Sequence, residues 1–216
     1  MMRIAVALLV VSALLCSCGP MEPQPVAAAA PKPGIDPANI RTADSARALL
    51  HTGDIVTRMG IGADSYLLQQ MNNRDKTFSH CGVVVIENGY PFVYHAIGGE
   101  DNPDERLRRD SAAYFFSPFR NTGIGIIRYD FDSAQAGQLQ NIVTAYYKMR
   151  PRFDMKFDLA TDNELYCSEF VYKSLLSLTH DTALIPLSQY KSHRYVGIDD
   201  LYLNPHAHLI CKVRYK

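Results

Sequence analysis

Two short segments of this chain carry the residue types that acyl-transfer chemistry uses. In the first, Tyr166-Cys167-Ser168-Glu169-Phe170-Val171, a polar loop runs into an apolar helix and Cys167 stands at the junction. A thiolate is the nucleophilic form of cysteine, and the partial positive charge of a helix N-terminus favours it. The free N–H groups of the same first turn can also hold an oxyanion next to the sulfur. In the second, Phe78-Ser79-His80-Cys81-Gly82-Val83-Val84, a histidine opens a strand that is otherwise apolar. A cysteine with a histidine elsewhere in the chain makes a nucleophile and a general base, provided the fold brings them together. Cys167 is the expected nucleophile and His80 the expected base.

The elements that must position them can be read from periodicity. Cys81 to Ile86 is a β-branched run, Asn88-Gly89 is a turn dipeptide, and Phe92 to Ile97 reads as the returning strand. With a two-residue turn, Glu87 pairs with Tyr90 and His80 lies opposite Ile97. The diagonal neighbour of His80 on the same face is then His95. Such neighbours are ~7–8 Å apart at the backbone, within reach of two imidazoles. His95 is therefore the expected orienter of His80. Strand neighbours point to opposite faces, so Cys81 should turn away from His80 as an inert core thiol, with a disulfide to Cys211 as the alternative.

The rest of the mature chain gives a helix over residues 42–50, a strand over 55–58 and a helix over 63–71. Residues 99–110 are charged and read as a loop or an exposed turn of helix. A strand over 124–129, a helix over 133–149 with Leu139, Ile142, Val143 and Tyr146 on its apolar face, and a closing strand over 209–215 follow. The fold class is α+β, an antiparallel sheet packed against helices.

The order of these pieces resembles a known family. Gly53-Asp54-Ile55-Val56, Ser79-His80-Cys81-Gly82-Val83-Val84, Tyr94-His95-Ala96 and Tyr166-Cys167-Ser168-Glu169-Phe170-Val171-Tyr172 are similar to motifs of the permuted papain-like amidases of the YaeF/YiiX type. These are a circularly permuted branch of the NlpC-type cysteine peptidases and relatives of the lecithin retinol acyltransferase group. The resemblance covers roughly residues 50–215. It implies a permuted papain-like fold with Cys167 as nucleophile and His80 as base; no cofactor is expected. Many members carry a carboxylate on the second strand where this chain has His95, while the acyltransferase relatives have a histidine there. Glu87 and Glu100 are the fallback carboxylates. Tyr166 and Asp54 are candidates to line the oxyanion or substrate position.

Residues 1–17 read as a signal peptide: Met1-Met2-Arg3, then an apolar run from Ile4 to Leu15. About a dozen residues cannot span a bilayer, which needs ~20. Leu15-Cys16-Ser17-Cys18 resembles a bacterial lipobox, which implies cleavage before Cys18 and acylation of that residue. Residues 18–35 carry the lipidated cysteine and a Pro- and Ala-rich tether that cannot bury a core. The hydrolase domain is expected over 36–216, lipid-anchored at the cell envelope and facing the periplasm.

Basic and acidic residues balance at 22 each, which argues against a nucleic-acid partner. His193, His206 and His208 cluster late in the chain, but no third ligand stands at a recognised metal spacing, so no metal is expected. The leading expectation is an amidase- or peptidase-like hydrolase working through an acyl-enzyme on a peptide, peptidoglycan or lipid-derived acyl substrate. The alternatives are an acyltransferase or lipid esterase with the same site, and a non-catalytic envelope-binding lipoprotein.

Overall fold

The computed structural model describes residues 34–99 and 102–216. The expected signal peptide, Cys18, most of the tether and Glu100 lie outside the described residues.

In chain order the elements are α1 (Pro37–Arg47), β1 (Ile55–Gly60), α2 (Ala63–Gln70), β2 (His80–Glu87), β3 (Tyr90–His95), β4 (Arg108–Ser111), α3 (Ala112–Phe115), β5 (Asn121–Tyr129), α4 (Ser133–Met149), α5 (Cys167–Thr179), β6 (Ser188–Tyr190), β7 (His193–Tyr195), α6 (Ile198–Tyr202) and β8 (Ala207–Arg214). Six strands form one antiparallel sheet in the order β4-β3-β2-β1-β5-β8, and β6 and β7 pair separately. The α+β expectation holds.

The first helix starts earlier than its apolar residues indicate. Asp36 caps it, its carboxylate accepting from Ala38 N–H at 2.8 Å, and Pro37 follows at the first helical position, where a missing N–H costs nothing. The β2–β3 turn forms as its dipeptide requires: Glu87 pairs with Tyr90, and Asn88 and Gly89 both take positive φ, 49° and 82°. The helix over 133–149 starts at an Asp132 cap, which accepts from Gln135 N–H while the Gln135 side chain accepts from Asp132 N–H.

Alternation along the central strands sorts their side chains into two cores. On one face Ile55, Cys81, Val83, Val85 and Tyr94 pack with Leu139 and Val143 of α4 and with Cys167, Phe170, Val171 and Leu175 of α5. On the other, Val56, Val84, Val93, Ile124 and Ile126 pack with Ala43 and Ala46 of α1 and with Ala112, Phe115 and Phe116 around α3. The central strands β1, β2 and β5 are buried on both sides, which accounts for runs such as Val83-Val84-Val85 with no polar alternation.

Two expectations change. Residues 108–111, read as a loop or an exposed turn of helix, form the edge strand β4, with Arg108 opposite His95 and Asp110 opposite Val93. Cys81 and Cys211 cannot be joined: β2 and β8 are three strand steps apart, about 14 Å, well beyond disulfide reach. All three described cysteines are free thiols.

Candidate active site

The helix carrying Cys167 is fixed at its start by the residues of its own motif. Glu169 accepts from Tyr166 N–H at 3.1 Å, closing the first turn. The Tyr166 hydroxyl accepts from Val196 N–H at 2.9 Å, and Ser168 donates to the Val196 carbonyl at 2.8 Å. Tyr, Ser and Glu of this motif are thus struts that clamp the helix start to the 196 segment. Cys167 stands between these struts, with its side chain turned toward β2. Tyr166, a candidate for the oxyanion or substrate position, has its hydroxyl bound at Val196 N–H as an acceptor. Burial raises the Glu169 carboxyl to about 7, against the pull of Lys173 at 3.0 Å.

Cys167 meets β2 where that strand has a free edge. Val84 N–H donates to the Asp54 carbonyl on the β1 side. Amides alternate sides along a strand, so Cys81 N–H points the other way, toward β3. The β2–β3 pairing begins only at Val83 with Tyr94, and β3 ends at His95. The Cys81 amide has no β3 partner in the ladder, and it lies close enough to the Cys167 sulfur to favour its thiolate. The thiol and N–H of Cys81, with the N–H of Ser168, hold the Cys167 thiol below its ordinary value despite burial. Burial and the neighbouring sulfur push Cys81 well up, so of the two it keeps its proton.

On the other face stands a three-residue relay. His80 Nε2 lies 2.8 Å from His95 Nδ1, and His95 Nε2 lies 3.0 Å from Asp110 Oδ2. Arg108 donates to the second oxygen of Asp110 at 2.7 Å. These contacts fix the proton positions by assignment from the bonding pattern. The Asp110 carboxylate only accepts, so His95 Nε2 carries a hydrogen. In a neutral ring His95 Nδ1 is then the acceptor, so His80 Nε2 is the donor. His80 Nδ1 is left as the lone-pair nitrogen, the form a general base needs. Neutrality is supported by burial, which pulls both imidazoles below 6.5; Arg58 adds to this at His80, and Asp110 partly opposes it at His95. The close approach of the strands needs Gly82, where an added Cβ would lie 2.7 Å from the Tyr94 carbonyl oxygen and 2.9 Å from His95 Cβ.

The sheet therefore brings His80 and His95 together as the hairpin arithmetic expects. It places Cys167 against Cys81, the residue next to His80. No hydrogen bond joins Cys167 to His80 directly among the described residues. Asp54 is elsewhere. It lies beside Ile55, which pairs with Val83, while His80 pairs with Arg58. That separation along β1 is four residues, or about 13 Å. Asp54 instead forms a buried ion pair with Arg128 at 2.7 and 2.8 Å and accepts from His51 N–H. Glu87 is also removed from the relay, held by Arg109 and Tyr94. Asp110 was hidden in the charged run Arg108-Arg109-Asp110. That run is charged and polar throughout and carries no local signal of a strand. Of the late histidines, His193 bonds the Phe157 carbonyl and His208 bonds Asp130. Among the described residues no group of three or more His, Cys, Asp and Glu could hold a metal ion.

No family model matches the chain, and no curated protein matches it in sequence. Among solved structures, the metalloprotein YiiX from Escherichia coli O157:H7 aligns with a TM-score of 0.63. The alignment covers 76% of this chain and 98% of that one, at 17% identity. This chain has the YiiX fold. At that identity the likeness speaks to the arrangement of strands and helices. The roles of Cys167, His80, His95 and Asp110 rest on the geometry above.

The neutral relay has a consequence for stability. His80 has a folded-state pKa well below its value of 6.5 in the unfolded chain. Below pH 6.5 the unfolded chain therefore binds more protons than the folded one. The stabilisation is complete above 6.5 and is lost as pH falls from there toward the folded value. The urea midpoint should drop between pH 7.5 and 5.5, with a shallower drop in His80→Gln. An equal slope in both proteins would show that His80 is not held neutral.

Proposed function

We propose that this protein is a cysteine hydrolase of amidase or peptidase type, with Cys167 as nucleophile and the His80–His95–Asp110 relay as its base. The observation that carries the reading is the Cys167 thiol, held toward its ionised form at a helix start, against the strand whose adjacent residue heads a tautomer-fixing relay.

The Cys167 thiol passes its proton to His80 Nδ1 as the sulfur attacks the carbonyl carbon of an acyl substrate. This step requires the Cys167 sulfur and the His80 ring, which face opposite sides of the sheet, to meet around the open start of β2. The tetrahedral oxyanion is held by N–H groups of the first turn of α5, beginning with that of Cys167. His80 returns the proton to the leaving group, and water then hydrolyses the thioester with His80 again taking a proton. On this reading the domain works at the cell envelope on a peptide, peptidoglycan or lipid-derived acyl group, tethered through a lipid on Cys18.

The test is an acyl-directed activity probe on the full mature protein, with the labelled residue found by peptide mass spectrometry. Peptidoglycan fragments and phospholipids then serve as competitors. Label on Cys167 alone, displaced by one competitor class, is the expected result and names the substrate class. A Cys167 that iodoacetamide alkylates but no acyl probe labels would remove the hydrolase reading.

A further inference from the structure

The mechanism above uses one thiol, but two are present at the site. Cys81 and Cys167 belong to the same buried cluster, Cys81 fully enclosed and Cys167 5% exposed. Helix α5, which Cys167 opens, packs on β2, which holds Cys81, and the two thiols are close enough to influence each other's ionisation. Cys211 lies on β8, across the sheet, and takes no part.

We infer that Cys81 is a resolving thiol for Cys167, so that oxidation by a peroxide joins the two in a reversible disulfide and switches the site off. The Cys167 thiolate attacks one oxygen of hydrogen peroxide. The O–O bond breaks, hydroxide leaves, and Cys167 becomes a sulfenic acid. The Cys81 sulfur then attacks the Cys167 sulfur. An S–S bond forms, the S–O bond breaks, and the hydroxide that leaves takes the Cys81 proton and departs as water. Two thiols lose two electrons and one peroxide gains them. The polarity fits, because the lower-pKa thiol is the one oxidised first and its neighbour still holds a proton to release. Peroxide is small enough to reach a residue that a bulkier reagent meets only slowly. Without a resolving thiol the sulfenic acid proceeds to sulfinic acid, which is not recovered by thiols.

The regulatory consequence rests on Cys167 being the working nucleophile, but the chemistry is read by mass alone. The full mature protein is treated with hydrogen peroxide, digested without reductant and analysed for peptides. A Cys81–Cys167 cross-linked peptide, lighter by two hydrogens than the sum of its parts, is the expected product. Iodoacetamide labelling of Cys167 should fall by at least about tenfold and return with dithiothreitol. In Cys81→Ala, checked for folding by circular dichroism, Cys167 should go to sulfinic acid and dithiothreitol should not restore it. Wild-type protein in which Cys167 becomes sulfinic while Cys81 stays reduced overturns the inference, whatever the variant does. A cross-link without any acyl-probe labelling would keep the inference and remove the hydrolase reading. Probe labelling without a cross-link would do the reverse.

Discussion

Asp110→Asn should cost more activity than Asp110→Ala, although asparagine is the closer mimic in shape. The carboxylate sets the tautomer of two rings in series. In Asp110→Asn the new side-chain amide can present its NH2 to His95 Nε2, which then becomes an acceptor. His95 Nδ1 takes the hydrogen, His80 Nε2 becomes the acceptor, and the remaining proton moves to His80 Nδ1. The nitrogen meant to receive the Cys167 proton is then already protonated. Alanine leaves both rings free to choose through water. On the substrate class found with the probe, we expect kcat/KM to fall by about 10²-fold or more for Asp110→Asn and by roughly tenfold for Asp110→Ala. Cys167→Ala should abolish turnover. His80→Ala should cost nearly as much, because residues acting as one unit do not contribute additively. His95→Ala should cost less, since an orienter is partly dispensable. An Asp110→Asn protein within twofold of wild type would show that the relay does not set the base.

Arg128→Met should be the most damaging single change away from the site. Asp54 is 1% exposed, and both of its oxygens are held by Arg128. Removing the guanidinium leaves a carboxylate buried with no counter-charge, a loss of about 3–5 kcal/mol. Asp54→Asn should cost less, because the Arg128 side chain is 29% exposed and can turn to solvent. The double variant Asp54→Asn, Arg128→Met should recover part of the loss, since the buried charge is gone with its partner. Urea denaturation of the three proteins checks the order. If Arg128→Met costs no more than Asp54→Asn, the ion pair is not the support assigned to it.

Much of the frame was legible because it is local. Asn88-Gly89 sets a two-residue turn, the turn sets the register, and the register alone puts His95 beside His80. The helices over 133–149 and from Cys167 follow from apolar spacing and from the residues at their starts. Asp54, in contrast, was drawn into the site by its place in a motif. Only the pairing of β1 with β2 shows that four residues of extended chain separate it from His80.

The candidate nucleophile, the histidine pair and the class of fold are thus readable from the chain, each carried by contacts within a hairpin or a helix. The rest depends on how distant segments meet. β4 is four charged and polar residues whose strand form comes from hydrogen bonds to β3, not from any alternation of its own. Without it Asp110 has no position and the relay no anchor. The meeting of Cys167 with Cys81 depends on β3 ending at His95, which exposes one amide edge just where α5 begins. Neither fact is written in a local pattern, because each arises where segments distant in sequence pair, or stop pairing, across the sheet.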